Sequence, residues 1–158
     1  MSQMQGREPG VVGSVLGGGL YAGIIADGIH VHWNNAALAI KAMPDHLCLV
    51  TDAMCTLAGT LSEFQFFDEH IFLTDGKLSN GKGTLAGAHI AMDESLRNII
   101  DKGIASPQIA VKLASRNPAV ALGIDADLGQ VKEGLRASLS LFDRNFNATA
   151  VIRLAAFS

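Results

Sequence analysis

The chain has 158 residues, 49% hydrophobic and 17% charged, with a mean hydropathy of +0.29 and a formal net charge of −3. That length suits one ordinary domain, and the small negative charge excludes the basic footprint of a nucleic-acid binder. No apolar run approaches the ~20 residues of a membrane span, and the N-terminal ten residues lack the charged-then-apolar order of a signal peptide, so no membrane partner and a cytoplasmic location are expected.

Residues 1–19 are glycine-rich and read as loop with short helical turns. Within them Arg7-Glu8-Pro9-Gly10 is a turn carrying a fixed charge. Its forked donors suit a phosphate, although a single loop arginine is ordinarily just solvated. The apolar run Leu20–Ala26 reads as a strand that breaks into Asp27-Gly28-Ile29-His30. Asn34-Asn35 offers a cap for a helix over 36–43, which Pro44-Asp45 ends. A second run, Leu47–Val50, breaks into Thr51-Asp52-Ala53. Strand, helix and strand make a parallel unit, so both runs end on one sheet edge, where α/β proteins place their chemistry.

Asp52 stands where a strand delivers a catalytic base or a metal ligand; a helix cap or a structural ion pair competes evenly on spacing alone. His30 and His32 have the spacing of a His-x-His metal pair, but the strand is already breaking at Asp27-Gly28, and a backbone-bonded loop histidine accounts for them equally well. His46, His70 and His89 have no partner at ligand spacing and read as surface residues. Cys48 reads as a small buried hydrophobe, and Cys55 as structural.

The segment from Glu63 to Leu78 is aromatic and β-branched, and Asp75-Gly76 is a hairpin signal, so a β excursion is expected there. Gly76 to Lys82 fits part of a phosphate loop, but Gly83 occupies the position of the magnesium-binding Ser or Thr. A tight loop approaching a ligand ahead of a helix, or a plain turn, are the other readings of 81–87. A helix then carries Ile90, Leu96, Ile99 and Ile100 and ends near Gly103. Ser106-Pro107 caps and opens another helix, and Asn117-Pro118 repeats that logic for a short one stopped by Gly123. Ala137–Leu141 alternates as a half-buried strand. Two parallel strands are too few for an α/β domain, so the chain reads as the tail of something larger.

Five strings, taken together and in order, resemble a known family: Gly-Arg-Glu-Pro-Gly (6–10), Gly-Ile-Ile-Ala-Asp-Gly-Ile-His-Val (23–31), Leu-Val-Thr-Asp-Ala (49–53), Gly-Thr-Leu-Ala-Gly (83–87) and Ala-Ser-Arg-Asn-Pro-Ala (114–119). The resemblance is to the N-acetylglucosamine-6-phosphate deacetylases of the amidohydrolase superfamily, and it runs to about Asp143. It implies an α/β fold, the C-terminal part of a (β/α)8 TIM barrel over 1–123, with its last two strands and helices. Residues 124–158 would add C-terminal strands of a small β-sandwich domain.

The implied reaction hydrolyses the acetamide of N-acetylglucosamine 6-phosphate to glucosamine 6-phosphate and acetate. By the resemblance, Asp52 is the general base, and His30 contacts the substrate and helps polarise its carbonyl. Asp27, Gly28, Ile29, Leu85, Ala86 and Gly87 line the sugar pocket, and Arg7 binds the phosphate by reaching into the neighbouring subunit of a homodimer. The divalent metal, zinc or iron, is expected to have its glutamate and two histidine ligands upstream of Met1, with none in this chain. The second of those histidines, and an Asn-Ala substrate contact, belong to a motif that would end at Met1. Ser138, Ala88 and the ending Ile152–Ser158 depart from the family pattern. The isolated chain is expected to be inactive. Another amidohydrolase acting on a different amide, and a non-catalytic remnant or interaction module, are the rival readings.

Overall fold

A computed structural model of the chain describes residues 3–153; Met1 and the end of the divergent tail, 154–158, lie outside them. A helix α1 (Gly10–Gly17) comes first, then strand β1 (Ala22–Ile24), helix α2 (Trp33–Ala42) and strand β2 (Leu47–Leu49). The two strands are parallel, with Ala22 opposite Leu47 and Ile24 opposite Leu49. Side chains alternate across a strand, so Ile24, Leu47 and Leu49 turn to one face. There they join Ala36, Ile40 and Met43 of the α2 segment and Leu96, Ile99, Ala110 and Leu113 of the helices beyond. Burying each large aliphatic chain contributes about 1.5–3 kcal/mol. Cys48, between the two leucines, is also buried, and burial pushes its thiol pKa up.

The β excursion forms as a three-stranded antiparallel sheet of β3 (Glu63–Phe66), β4 (Glu69–Thr74) and β5 (Lys77–Asn80). Thr74 pairs with Lys77 across the Asp75-Gly76 turn, where both residues have positive φ. Because β5 occupies 77–80 and no helix follows directly, the Gly76–Lys82 stretch is not a phosphate loop. The turn after it is organised by Asn80, whose Oδ1 accepts from the amides of Lys82 and Thr84 at 3.0 and 2.9 Å.

Three helices then return to the core: α3 (Met92–Asp101), α4 (Pro107–Ala114) and α5 (Arg116–Ala121). Ser106 caps α4 as its sequence indicates, with Oγ accepting from the Ile109 amide. Two other expected caps differ. His32, not Asn34-Asn35, caps α2, its Nδ1 accepting from the Asn34 amide at 3.2 Å. That bond engages His32 Nδ1, and both His30 ring nitrogens are taken up by Asp27 and the Ala86 carbonyl, so the two do not act as a metal pair. Asn117 lies inside α5 and is buried; its Nδ2 donates to the carbonyls of Pro44 and Leu47 at 2.9 and 2.7 Å. An amide that satisfies two carbonyls at the start of β2 is worth more there than at a helix end.

The hairpin β6 (Ser138–Phe142) and β7 (Ala148–Arg153) completes the described chain. It is tied to α3 through Asp93, whose Oδ2 accepts from the Ala148 amide at 3.2 Å and from Arg97 at 3.1 Å.

Candidate active site

Both predicted polar segments leave the same edge of the parallel pair. After β1, the Asp27 carboxylate organises its own loop. Its Oδ1 accepts from the amides of Ile29 and His30, both at 2.9 Å, and its Oδ2 lies 2.6 Å from His30 Nδ1. Gly28 has φ +75, and the Trp33 ring lies so close that a Cβ there would sit 2.4 Å from Cζ2. No other residue fits this position without moving the ring. Asn98 of α3 fixes the start of the loop, donating to the Ala26 carbonyl at 3.0 Å.

After β2 the chain kinks at Asp52, which has φ +51. Aspartate tolerates the left-handed region better than most residues, yet such a conformation still costs about 1 kcal/mol and persists only where neighbours hold it. Here they do. The Asp52 carbonyl accepts from the Ala88 amide at 2.8 Å, and the Ala88 carbonyl accepts from the Met54 amide at 3.0 Å. Gly87 permits this approach: a Cβ on it would stand 2.7 Å from the Asp52 oxygen and 2.7 Å from Met54 Cγ.

These links gather Asp52, Leu85, Ala86 and Gly87 around one open cleft of about 860 Å³, whose far wall is the β3–β5 sheet with Phe64, Phe66 and Ile71. His30 joins them from the side, its Nε2 lying 3.0 Å from the Ala86 carbonyl. Burial disfavours the charged form of His30, but the bonds to Asp27 and Ala86 and the charges of Asp27 and Asp52 outweigh it, so its pKa is raised. Burial likewise works against the Asp27 carboxylate, and the His30 ring and two backbone amides override it, holding the pKa below its ordinary value. The arrangement therefore presents a carboxylate at a strand end beside a bound, proton-rich imidazole.

Of the expected site residues, Asp27, Gly28, Ile29 and His30 reach the cleft only through the His30–Ala86 contact, and Arg7 stays apart altogether. It is exposed ahead of α1, does not line the cleft, and forms no ion pair among those of the described residues. His89, read as a surface residue, and Thr56, which the sequence did not single out, prove to brace the site. Thr56 is buried, and its Oγ1 lies 2.9 Å from His89 Nδ1, so His89 is not an ordinary surface residue. The pair links the segment after Asp52 to the one after Gly87. The two residues lie 33 positions apart, and nothing local in sequence names either as the other's partner.

A carboxylate at the carboxy end of a parallel strand, lining an open cleft, stands where α/β proteins place their chemistry. The chain belongs to the amidohydrolase family, whose profile matches residues 13–157. It is 36% identical over 149 residues to an N-acetylglucosamine-6-phosphate deacetylase of Haemophilus influenzae, covering 93% of this chain and 39% of that protein. It is 37% identical to an N-acetylgalactosamine-6-phosphate deacetylase of a Shewanella species, covering 96% of this chain and 39% of that protein. Its fold superposes on the crystal structure of the N-acetylglucosamine-6-phosphate deacetylase of Pasteurella multocida with a TM-score of 0.91 at 36% identity, over 94% of this chain and 39% of that one. The chain thus spans about two-fifths of the length of these relatives.

Proposed function

We propose that this chain is the portion of an N-acetylglucosamine-6-phosphate deacetylase that carries its proton-transfer carboxylate and its sugar-recognition loops. The observation that carries the reading is the convergence of Asp52 with the Leu85–Gly87 segment in one cleft, with the Asp27–His30 loop bonded to its rim. In this reading β1, α2, β2 and α3–α5 are the last two strands and helices of a (β/α)8 barrel within 1–123, and β6–β7 belong to a small β-sandwich domain within 124–158.

Hydrolysis of an amide needs a base to take a proton from the attacking water and an acid to return it to the leaving amine. Asp52 serves both steps, receiving the proton on a carboxylate oxygen and handing it on. Asp27, Gly28, Ile29, His30, Leu85, Ala86 and Gly87 shape the sugar subsite. Arg7, which forms no ion pair among the described residues, meets the substrate phosphate across a homodimer interface. The whole enzyme works in the cytoplasm and takes a divalent metal, zinc or iron, which supplies water activation when bound. The described residues do not fit that metal by themselves: no three of their His, Cys, Asp or Glu side chains converge to hold one.

The isolated chain should release no acetate from N-acetylglucosamine 6-phosphate above background with zinc or iron present. Grafted in place of the matching part of the Haemophilus influenzae relative, it should restore deacetylation, and Asp52→Asn in that graft should lower kcat by about 10²–10⁴-fold. Turnover by the chain alone, or an unaffected Asp52→Asn graft, would sink the reading. The identity to the Shewanella enzyme favours a second substrate, the C4 epimer N-acetylgalactosamine 6-phosphate, and kcat/KM for the two sugars in the graft decides between them.

A further inference from the structure

The Asp27–His30 loop and the Leu85–Gly87 segment are distant in sequence, and the His30 ring joins them. Both neighbours of that ring are acceptors. The Ala86 carbonyl, 3.0 Å from Nε2, has no proton to give, so Nε2 carries one. On the other side Asp27 already accepts two backbone amides, which favour its ionised form. An ionised carboxylate can only accept, so its Oδ2, 2.6 Å from Nδ1, calls for a proton on Nδ1 as well. A neutral imidazole has a single N–H and satisfies one of these acceptors while turning a lone pair on the other.

We propose that His30 is a positioning residue in its imidazolium form, a charged strut that holds the Asp27–His30 loop against Leu85–Gly87 so that this rim of the cleft is assembled only while both ring nitrogens are protonated. The proposal deepens the deacetylase reading, since it takes these two segments as the sugar subsite. The charged groups whose fields reach the ring are Asp27 on its own loop and Asp52 from the end of β2, both anionic; the Leu85–Gly87 side offers only backbone. The ion pair is well shielded, with side-chain exposures of 15% for His30 and 7% for Asp27. The raised pKa of His30 and the lowered pKa of Asp27 have the sense this requires. A substrate oxygen can take the Nε2 proton only by displacing the Ala86 carbonyl, so binding at His30 and movement of the Leu85–Gly87 segment are one event.

The test needs no turnover. Multiple-bond ¹⁵N spectra of the full chain are recorded across a pH series from about pH 5 to pH 9, spanning the histidine range. Near neutral pH both His30 ring nitrogens are expected to be protonated, with a midpoint above the ordinary 6.5. Asp27→Asn should lower that midpoint by about one unit or more. Protection of the Ala86 and Ala88 amides, which donate to the carbonyls of Leu78 and Asp52 at 3.0 and 2.8 Å, should fall with the same midpoint once corrected for intrinsic exchange. A neutral single tautomer near neutral pH overturns the proposal, as does amide protection that stays flat through the His30 titration. Should Asp27→Asn fail to fold, the wild-type titration decides alone. Failure of the deacetylation assay leaves these spectra unchanged, so the two readings fail separately.

Discussion

The Asp27 carboxylate accepts three hydrogen bonds, from the amides of Ile29 and His30 and from the His30 ring. Its folded state therefore binds protons less readily than its unfolded state, while His30 binds one more readily. Linkage then fixes the sign of the pH dependence. The His30 contribution is complete below its ordinary value of 6.5 and is lost as the pH rises through the raised folded value. The Asp27 contribution is present above the ordinary 3.8 and is lost as the pH falls through the lowered one. Urea unfolding should therefore show greatest stability between these two ordinary values and a decline on the alkaline side that Asp27→Asn flattens. Equal stability on both sides of the His30 titration would count against the pair.

At the scale of elements, α3 is the member that several parts share. Its Leu96 and Ile99 enter the core, its Asn98 holds the end of β1, and its Asp93 and Arg97 hold the β6–β7 hairpin. Ile99 is fully buried, so Ile99→Ala should lower unfolding stability by about 2–5 kcal/mol and shift the denaturation midpoint of the whole α/β part. Asp93→Ala removes a partly exposed ion pair and the acceptor of two backbone amides, those of Glu94 and Ala148. It should cost about 1 kcal/mol or less and raise exchange at the Ala148 amide while the β1–β2 amides stay protected. The local signals were those that act within a few residues: the Asp75-Gly76 turn and the Ser106-Pro107 start appear where the sequence reads them, while the strand expected at Ala137–Leu141 forms as Ser138–Phe142 and loses its alternation at an exposed Leu141 beside a register shift. Asn117 and the Thr56–His89 pair act across long stretches of chain, where no spacing rule reaches. Asn117 has the residue type of a cap, and its two carbonyl partners near β2 override that preference.

Over the whole molecule, the strand pairing leaves each of β1 and β2 one edge without a partner strand among the described residues. Leu20, Tyr21 and Val50 beside these strands are exposed. Open edges with apolar flanks pair with other chains, so sedimentation of the isolated chain should show association that grows with concentration; a well-folded monomer at every concentration would favour an independent module. The site was legible as residue types at one sheet edge. Its geometry was not, because the left-handed kink at Asp52 depends on Gly87, which arrives only after the whole β3–β5 sheet has been threaded between them.

Trp33 is the only tryptophan in the chain, and its ring rests against Gly28 with the Lys102 ammonium 4.6 Å from the ring centroid. Because indole emission responds to packing and to a nearby cation, the intrinsic fluorescence of this protein is a single-site optical gauge of its recognition loop. Any ligand, proton or partner that shifts the Asp27–His30 turn writes its effect into one unlabelled signal, readable in a stopped-flow trace without altering a residue.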